Sequence, residues 1–401
     1  MRIENLRTEQ NEDRLRHAVT VVWEDCERPR QDVYFEASET FAQGFFLNPD
    51  AFLLGCALPA MHHGERRIAV DAKVCPAVTE GLNYVMATMR HWFYEPGREP
   101  IRIETKGNGY KPDRAETKSA GALFSSGVDS LALLWNNHLQ YPKEHPWSIR
   151  NAIIILGQNI ESDMSDRTLE QAVKDFSALT ADVGAMLIPV YTNIRSLEND
   201  GGFFLRVNHG AIMASVAHIF AQRLHTTFIA SSDSLGELAA YKQLTFSPWG
   251  SHPLIDNYYS SPNLQIRHEN LTLTRLDKLR IVAGWDAGLQ TIRVCGKNWP
   301  GMNCGKCEKC TRTMLGLLAL GVLDKTKAFP TNDLTEDQVK KLRVKPYSPR
   351  YNTGTQAIYF EVIPHLERAG RHEIVRAIRQ AATPRKWSAR VKAMIKRLVK
   401  R

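Results

Sequence analysis

The chain has 401 residues, 43% of them hydrophobic and 24% charged, with a formal net charge of +9. These are globular proportions, and they exclude a wholly disordered, collagen-like or coiled-coil protein; the length suits two or three domains. No unbroken apolar run is longer than Ala152 to Leu156, far short of the ~20 residues of a membrane span, and the charged N-terminus lacks a secretory h-region, so a cytoplasmic location is expected.

The charge is uneven. Residues 385–401 carry eight Lys or Arg and no acid. The remainder is close to neutral, so a basic tail sets the net charge. The seven cysteines are no disulfide framework in a large chain of this kind. Cys26, Cys56 and Cys75 read as small buried apolar residues.

In chain order, Asp32–Ala37 and Arg66–Ala72 read as strands. Val78, Leu82, Val85, Met86, Met89 and Phe93 recur at helical spacing, which predicts a helix over Ala77–Phe93. Residues 106–118 are polar, with Gly107, Gly109 and Pro112, and mark the expected end of an N-terminal α+β domain over 1–115. Beyond it, strands Gly121–Phe124, Ala152–Leu156, Ala185–Val190 and Thr227–Ala230 alternate with helices Ser130–Leu139, Leu169–Leu179 and Val207–Leu224. Strands apolar on both faces between helices predict an α/β domain over 116–325, built on a doubly wound parallel sheet. Its site should lie beyond the carboxyl ends of the strands. Residues 326–401 read as a helical C-terminal region.

The first of these strands runs into Ser125-Ser126-Gly127-Val128-Asp129-Ser130 and then a helix. Small residues at a helix start suit a phosphate group, through free N–H groups and the helix dipole. Ser and Asp are also ordinary helix caps. The stretch resembles the PP-loop, S-G-G-x-D-S, of the ATP pyrophosphatases. Ser125, Gly127, Asp129 and Ser130 match it, and Ser126 stands where that family has its first glycine. The resemblance implies cleavage of Mg-ATP between the α and β phosphates and transfer of AMP to an acceptor. It places the pyrophosphate on Ser125, Ser126, Gly127, Asp129 and Ser130.

Cys295-x8-Cys304-x2-Cys307-x2-Cys310 is the most specific pattern in the chain. Four closely spaced thiols suit a closed, structural zinc knuckle at 295–310, with an iron–sulfur cluster as the alternative. A PP-loop followed by this four-cysteine pattern resembles 7-cyano-7-deazaguanine synthase, an enzyme of queuosine biosynthesis. Leu273-Thr274-Arg275-Leu276-Asp277 is similar to that family's L-T-K-x-E, although Thr274 and Asp277 also make a plain capping pair. The resemblance spans roughly residues 120–320. It implies an adenine nucleotide alpha hydrolase-like fold, the cofactors ATP, Mg2+ and Zn2+, and a C–N bond-forming ligase that adenylates a carboxylate. Asp129 would then orient Mg2+, and Arg275 would offset phosphate charge.

Three further stretches draw notice. Ser231-Ser232-Asp233-Ser234 follows the fourth strand and reads either as substrate contact or as a turn. Residues 248–256 (PWGSHPLID) are loop-like and combine an aromatic, a histidine and an acid. Asn208 and His209 open the helix predicted at 207–224. In the tail, Trp387, Val391, Met394, Ile395, Leu398 and Val399 form one face of a basic amphipathic helix. Such a helix suits an anionic membrane surface, nucleic acid, a partner protein or the chain's own body.

The reading is therefore an ATP-dependent adenylating enzyme with a small-molecule or peptide carboxylate as acceptor. A tRNA-modifying PP-loop enzyme and a non-catalytic nucleotide-binding scaffold are the alternatives, and a homo-oligomer stays open.

Overall fold

The computed structural model describes residues 1–94, 98–109, 118–157, 166–240, 248–296, 302–342, 344 and 356–383. The basic tail and residues 110–117 of the expected linker lie outside them. Two compact units are present, Met1–Asn303 and Cys304–Arg401.

The first unit is α/β. Its strands are β1 (Arg2–Asn11), β2 (Arg14–Val22), β3 (Gln31–Ser38), β4 (Arg67–Val70), β5 (Arg102–Thr105), β6 (Ser119–Leu123), β7 (Ile149–Leu156), β8 (Met186–Thr192), β9 (Leu224–Ala230) and β10 (Gln265–Glu269). They form one ten-stranded sheet in the order β10-β9-β6-β7-β8-β3-β2-β1-β4-β5. From β10 to β8 every neighbouring pair is parallel, and β1-β4-β5 are parallel again. Only the β8-β3-β2-β1 stretch is antiparallel. The parallel strands bring the carboxyl ends of β6, β9 and β10 to one edge, where loops must carry any chemistry.

The helices used below are α1 (Pro49–His62), α2 (Pro76–Phe93), α3 (Val128–Gln140), α4 (Asp166–Asp182), α5 (His209–Ile219), α6 (Leu235–Ala240), α7 (Arg275–Ala283), α8 (Asp286–Thr291) and α9 (Glu308–Ala319). Among the described residues no helix is long and apolar enough to cross a membrane.

The sheet runs on past the boundary expected near residue 115, because β3 pairs with β8. The ladder there is short, Phe35 with Thr192 and Glu36 with Tyr191. Side chains reinforce it. Thr192 Oγ1 donates to Tyr34 O at 2.6 Å, Tyr34 N donates to Asn193 Oδ1 at 3.0 Å, and Asn193 Nδ2 donates to Asp32 O at 2.8 Å. The layer above is continuous too. Residues 51–61 of α1 are all buried, so this helix is apolar on every side, as a core helix is. It lies against α5, where Ser215 Oγ donates to Ala51 O at 2.5 Å and Asn48 Nδ2 donates to His218 O at 2.8 Å.

Helix α5 starts later and ends earlier than the predicted span of 207–224. A π-turn over Phe204–Asn208 precedes it, and the chain leaves the helix at Phe220 before entering β9. In the second unit, α9 is followed by short helices Glu336–Lys340, Ile363–Arg368 and His372–Ala382. They bury Val339, Leu366, Ile374, Val375 and Ile378.

The joint between β3 and β8 yields a stability test. Asn193→Ala removes two hydrogen bonds to backbone groups and should cost about 1–3 kcal/mol, read as a lower urea midpoint with an unchanged slope. A midpoint equal to wild type would mean that the ladder and the Thr192 hydroxyl hold the joint without Asn193.

Candidate functional site

Strand β6 delivers the Ser125–Ser130 loop to the carboxyl edge. Phe124 N bonds Ile153 O at 2.8 Å, so the strand stays registered up to the loop. Gly127 occupies the N-cap position of α3 with no side-chain cap. The first turn of a helix has no intrahelical partners for its N–H groups. Neither serine nor aspartate takes the cap, so the capping role open to Ser and Asp does not account for them. Ser125 and Ser130 instead brace the loop from within. Ser130 Oγ donates to Gly127 O at 3.1 Å and accepts from Ser125 N at 3.3 Å.

Ser126 has φ +56°, the left-handed region that favours glycine. Its side chain is fully buried, and its hydroxyl donates to Thr291 O at 2.8 Å. Its carbonyl accepts from Arg293 N at 2.9 Å. The serine thus adopts a conformation that glycine favours, with its hydroxyl turned to the last residue of α8 and its carbonyl to the segment beyond.

Asp129 lies in the first turn of α3. Arg275 Nη1 meets its two carboxylate oxygens at 3.0 and 3.1 Å, and Lys278 Nζ stands 3.5 Å from Oδ1. Lys278 is fully buried; its ammonium donates to Ser231 O at 2.6 Å and Ser232 O at 3.1 Å. Lys278 therefore ties the loop after β9 to the loop after β6. The sequence reading missed it, although it sits one helical turn beyond Arg275. Helix α7 is started by a capping box between Thr274 and Asp277. Burial works against the Asp277 carboxylate, but bonds from Thr274 and Arg280 outweigh it and lower its pKa. Arg275 Nε is buried and has no hydrogen-bond partner among the described residues.

In the β9 loop, Ser234 and Glu237 bond each other reciprocally, at 2.7 Å from Ser234 N and 3.2 Å from Glu237 N. That is the turn reading of Ser234. Asp233 instead reaches outward and accepts from Trp249 Nε1 at 3.2 Å. The 248–256 loop is held by Asp256, which is fully buried. It accepts from Ser251 Oγ at 2.7 Å, from His252 N at 3.1 Å and from His268 Nδ1 at 2.7 Å. Gly210 lies so close that a Cβ there would sit 2.7 Å from Asp256 Oδ1. His209 packs edge-on to Phe204, and burial lowers its pKa against the pull of Asp256. No sequence signal joined His268, on β10, to this group; sheet pairing does that.

The four cysteines come together. Their Sγ atoms all lie within 4.8 Å of one another, and three of the four residues are buried. Tetrahedral zinc with Zn–S bonds of ~2.3 Å requires sulfurs about 3.8 Å apart. Cys304 and Cys310 stand at 3.9 Å. Backbone N–H groups point at the sulfurs, Cys307 N at 3.3 Å from Cys304 Sγ and Cys310 N at 3.5 Å from Cys307 Sγ. That arrangement stabilises thiolates. Gly305, φ +66°, makes the turn between two of them. The residues fit a metal ion such as zinc. Gly301 lies outside the described residues.

No family model, no curated protein and no solved structure matches this chain.

Burial pushes the His252 pKa down from 6.5 to about 4, against the pull of Asp256. The unfolded chain therefore takes up that proton first as the pH falls. Stability should drop between pH 6.5 and about 4 and level off below, His252 contributing up to roughly 3 kcal/mol. His252→Asn keeps an acceptor for Leu254 N and cannot titrate, so its unfolding free energy should fall less steeply over that window. An identical slope would remove His252 from the account.

Proposed function

We propose that the chain is an ATP-dependent adenylating enzyme of the PP-loop type, with the adenine nucleotide alpha hydrolase-like winding that goes with it. One observation carries the reading. Arg275 presents a buried guanidinium N–H without a partner among the described residues, beside the uncapped first turn of α3 and the Ser125–Ser130 loop. A buried cationic donor left unsatisfied costs free energy unless an anion completes it. A di- or triphosphate at a helix start is the anion that such a site suits.

In this reading the loop amides and the Ser125 hydroxyl bind the pyrophosphate portion of ATP. Arg275 offsets its charge, and Asp129 holds Mg2+. When bound, the metal would neutralise the phosphates and favour loss of pyrophosphate. The chain's own contribution is positioning. Lys278 and Arg275 fix the Asp129 carboxylate, so no side-chain reorganisation is needed as charge moves to the leaving group. The acceptor, a small-molecule or peptide carboxylate, attacks the α-phosphate and becomes the acyl adenylate. An incoming amine then displaces AMP. The β9 loop and the 248–256 loop, joined through Asp233 and Trp249, border the same edge and would meet the acceptor. The four-cysteine site is the structural zinc of this reading. The runner-up, a nucleotide-binding scaffold, shares the loop and differs only in lacking turnover.

Calorimetry with Mg-ATP tests it. The wild type should bind, and Asp129→Ala and Arg275→Ala should each weaken binding by about ten- to a hundred-fold, the loss of a charge-assisted contact. No binding to a folded, zinc-loaded wild type would end the reading. Binding without release of AMP and pyrophosphate across a panel of carboxylates would favour the scaffold.

A further inference from the structure

The segment between α8 and Cys295 is gripped from two sides. On one side is Ser126, whose hydroxyl donates to Thr291 O at 2.8 Å and whose carbonyl accepts from Arg293 N at 2.9 Å. On the other is Asn303, 2% exposed, whose Oδ1 accepts from Val294 N at 2.9 Å and Cys295 N at 3.2 Å. Asn303 Nδ2 donates to Ile292 O at 2.7 Å. Five bonds thus fix consecutive peptides from Thr291 to Cys295. One end of that stretch is the nucleotide loop, and the other is a ligand of the cysteine site.

A serine at φ +56° sits in a backbone region that glycine enters freely and other residues rarely do, so the position carries strain that glycine would avoid. What serine adds is the hydroxyl, and here it is directed wholly at Thr291 O. We propose that Ser126 is a positioning residue, a strut that makes the order of the Ser125–Ser130 loop depend on metal occupancy at Cys295. Metal on Cys295 Sγ holds the C-terminal end of the segment, Asn303 keeps its peptides in line, and Ser126 passes that order to the loop. The proposal rests on the adenylating reading only for what the loop binds.

Linkage makes the strut measurable. If zinc orders the loop, removing zinc weakens Mg-ATP, and Mg-ATP must tighten zinc by the same factor. The experiment uses the full chain, zinc-loaded and stripped with a zinc-selective chelator. It reads Mg-ATP affinity by calorimetry, zinc affinity by chelator competition, and hydrogen exchange at residues 125–130. In the wild type, zinc removal should lower Mg-ATP affinity about ten-fold, Mg-ATP should tighten zinc equally, and the loop amides should exchange faster while β7 and β8 stay protected. Ser126→Ala should reduce both factors to about two-fold, the loss of one hydrogen bond. Ser126→Gly should do the same without the backbone cost, which keeps the test alive if the alanine variant misfolds.

Equal Mg-ATP affinity and equal loop exchange with and without zinc would overturn the strut and leave the adenylating reading standing. Faster exchange throughout the sheet on zinc loss would overturn it too, because that is general unfolding. A zinc-loaded chain that ignores Mg-ATP yet loses loop protection on zinc removal would end the adenylating reading and support the strut.

Discussion

The site depends on a buried lysine. An ammonium taken out of water is stable only when its donors are met and a negative charge is near. Lys278 meets that demand with two backbone carbonyls from the β9 loop and the Asp129 carboxylate from the β6 loop. Two loops that leave different strands are thereby fixed to one helix. Arg275, one turn earlier on that helix, takes the same carboxylate at 3.0 and 3.1 Å. The arrangement holds charge in place before any ligand arrives. Under the proposed reading, a site that stabilises moving negative charge needs that property most.

The loop itself shows how a departure from a pattern can be absorbed. Ser126 adopts the left-handed backbone that glycine favours, and its hydroxyl is committed to the carbonyl of Thr291, the last residue of α8. Under the proposed reading the phosphates would meet Gly127, the Ser125 hydroxyl and the helix start, which no side chain caps. The cysteine site does not supply chemistry in this account. Its four sulfurs lie within 4.8 Å of one another, and Asn303, which grips the peptide of Cys295, also holds the segment that supports the loop.

The sequence made the parallel half of the sheet legible, because β6 to β9 are apolar on both faces and the helices between them are periodic. The clustering of the four cysteines was legible from spacing, and the Asp129–Arg275 contact joins two stretches that the sequence singles out. Other parts carried no local signal. Helix α1 is buried on all sides and contains Pro59, so it has no amphipathic period. Strand β1 is polar and bulged between Glu4 and Arg7, which breaks its alternation. Its hairpin with β2 turns on Glu12 at φ +54° without a glycine. The joint between β3 and β8 is written in backbone bonds, one threonine and one asparagine, so the chain reads as separate domains where the sheet is continuous. Lys278, Asp256 and His268 gain their meaning only from which strands lie side by side.

The most direct measurement is a crystal structure with a non-hydrolysable Mg-ATP analogue. The account predicts phosphate oxygens on the amides of Gly127 and Val128 and on the Arg275 guanidinium, with the cation at Asp129. A nucleotide bound at another loop cluster, with Arg275 Nε still unpartnered, would contradict it.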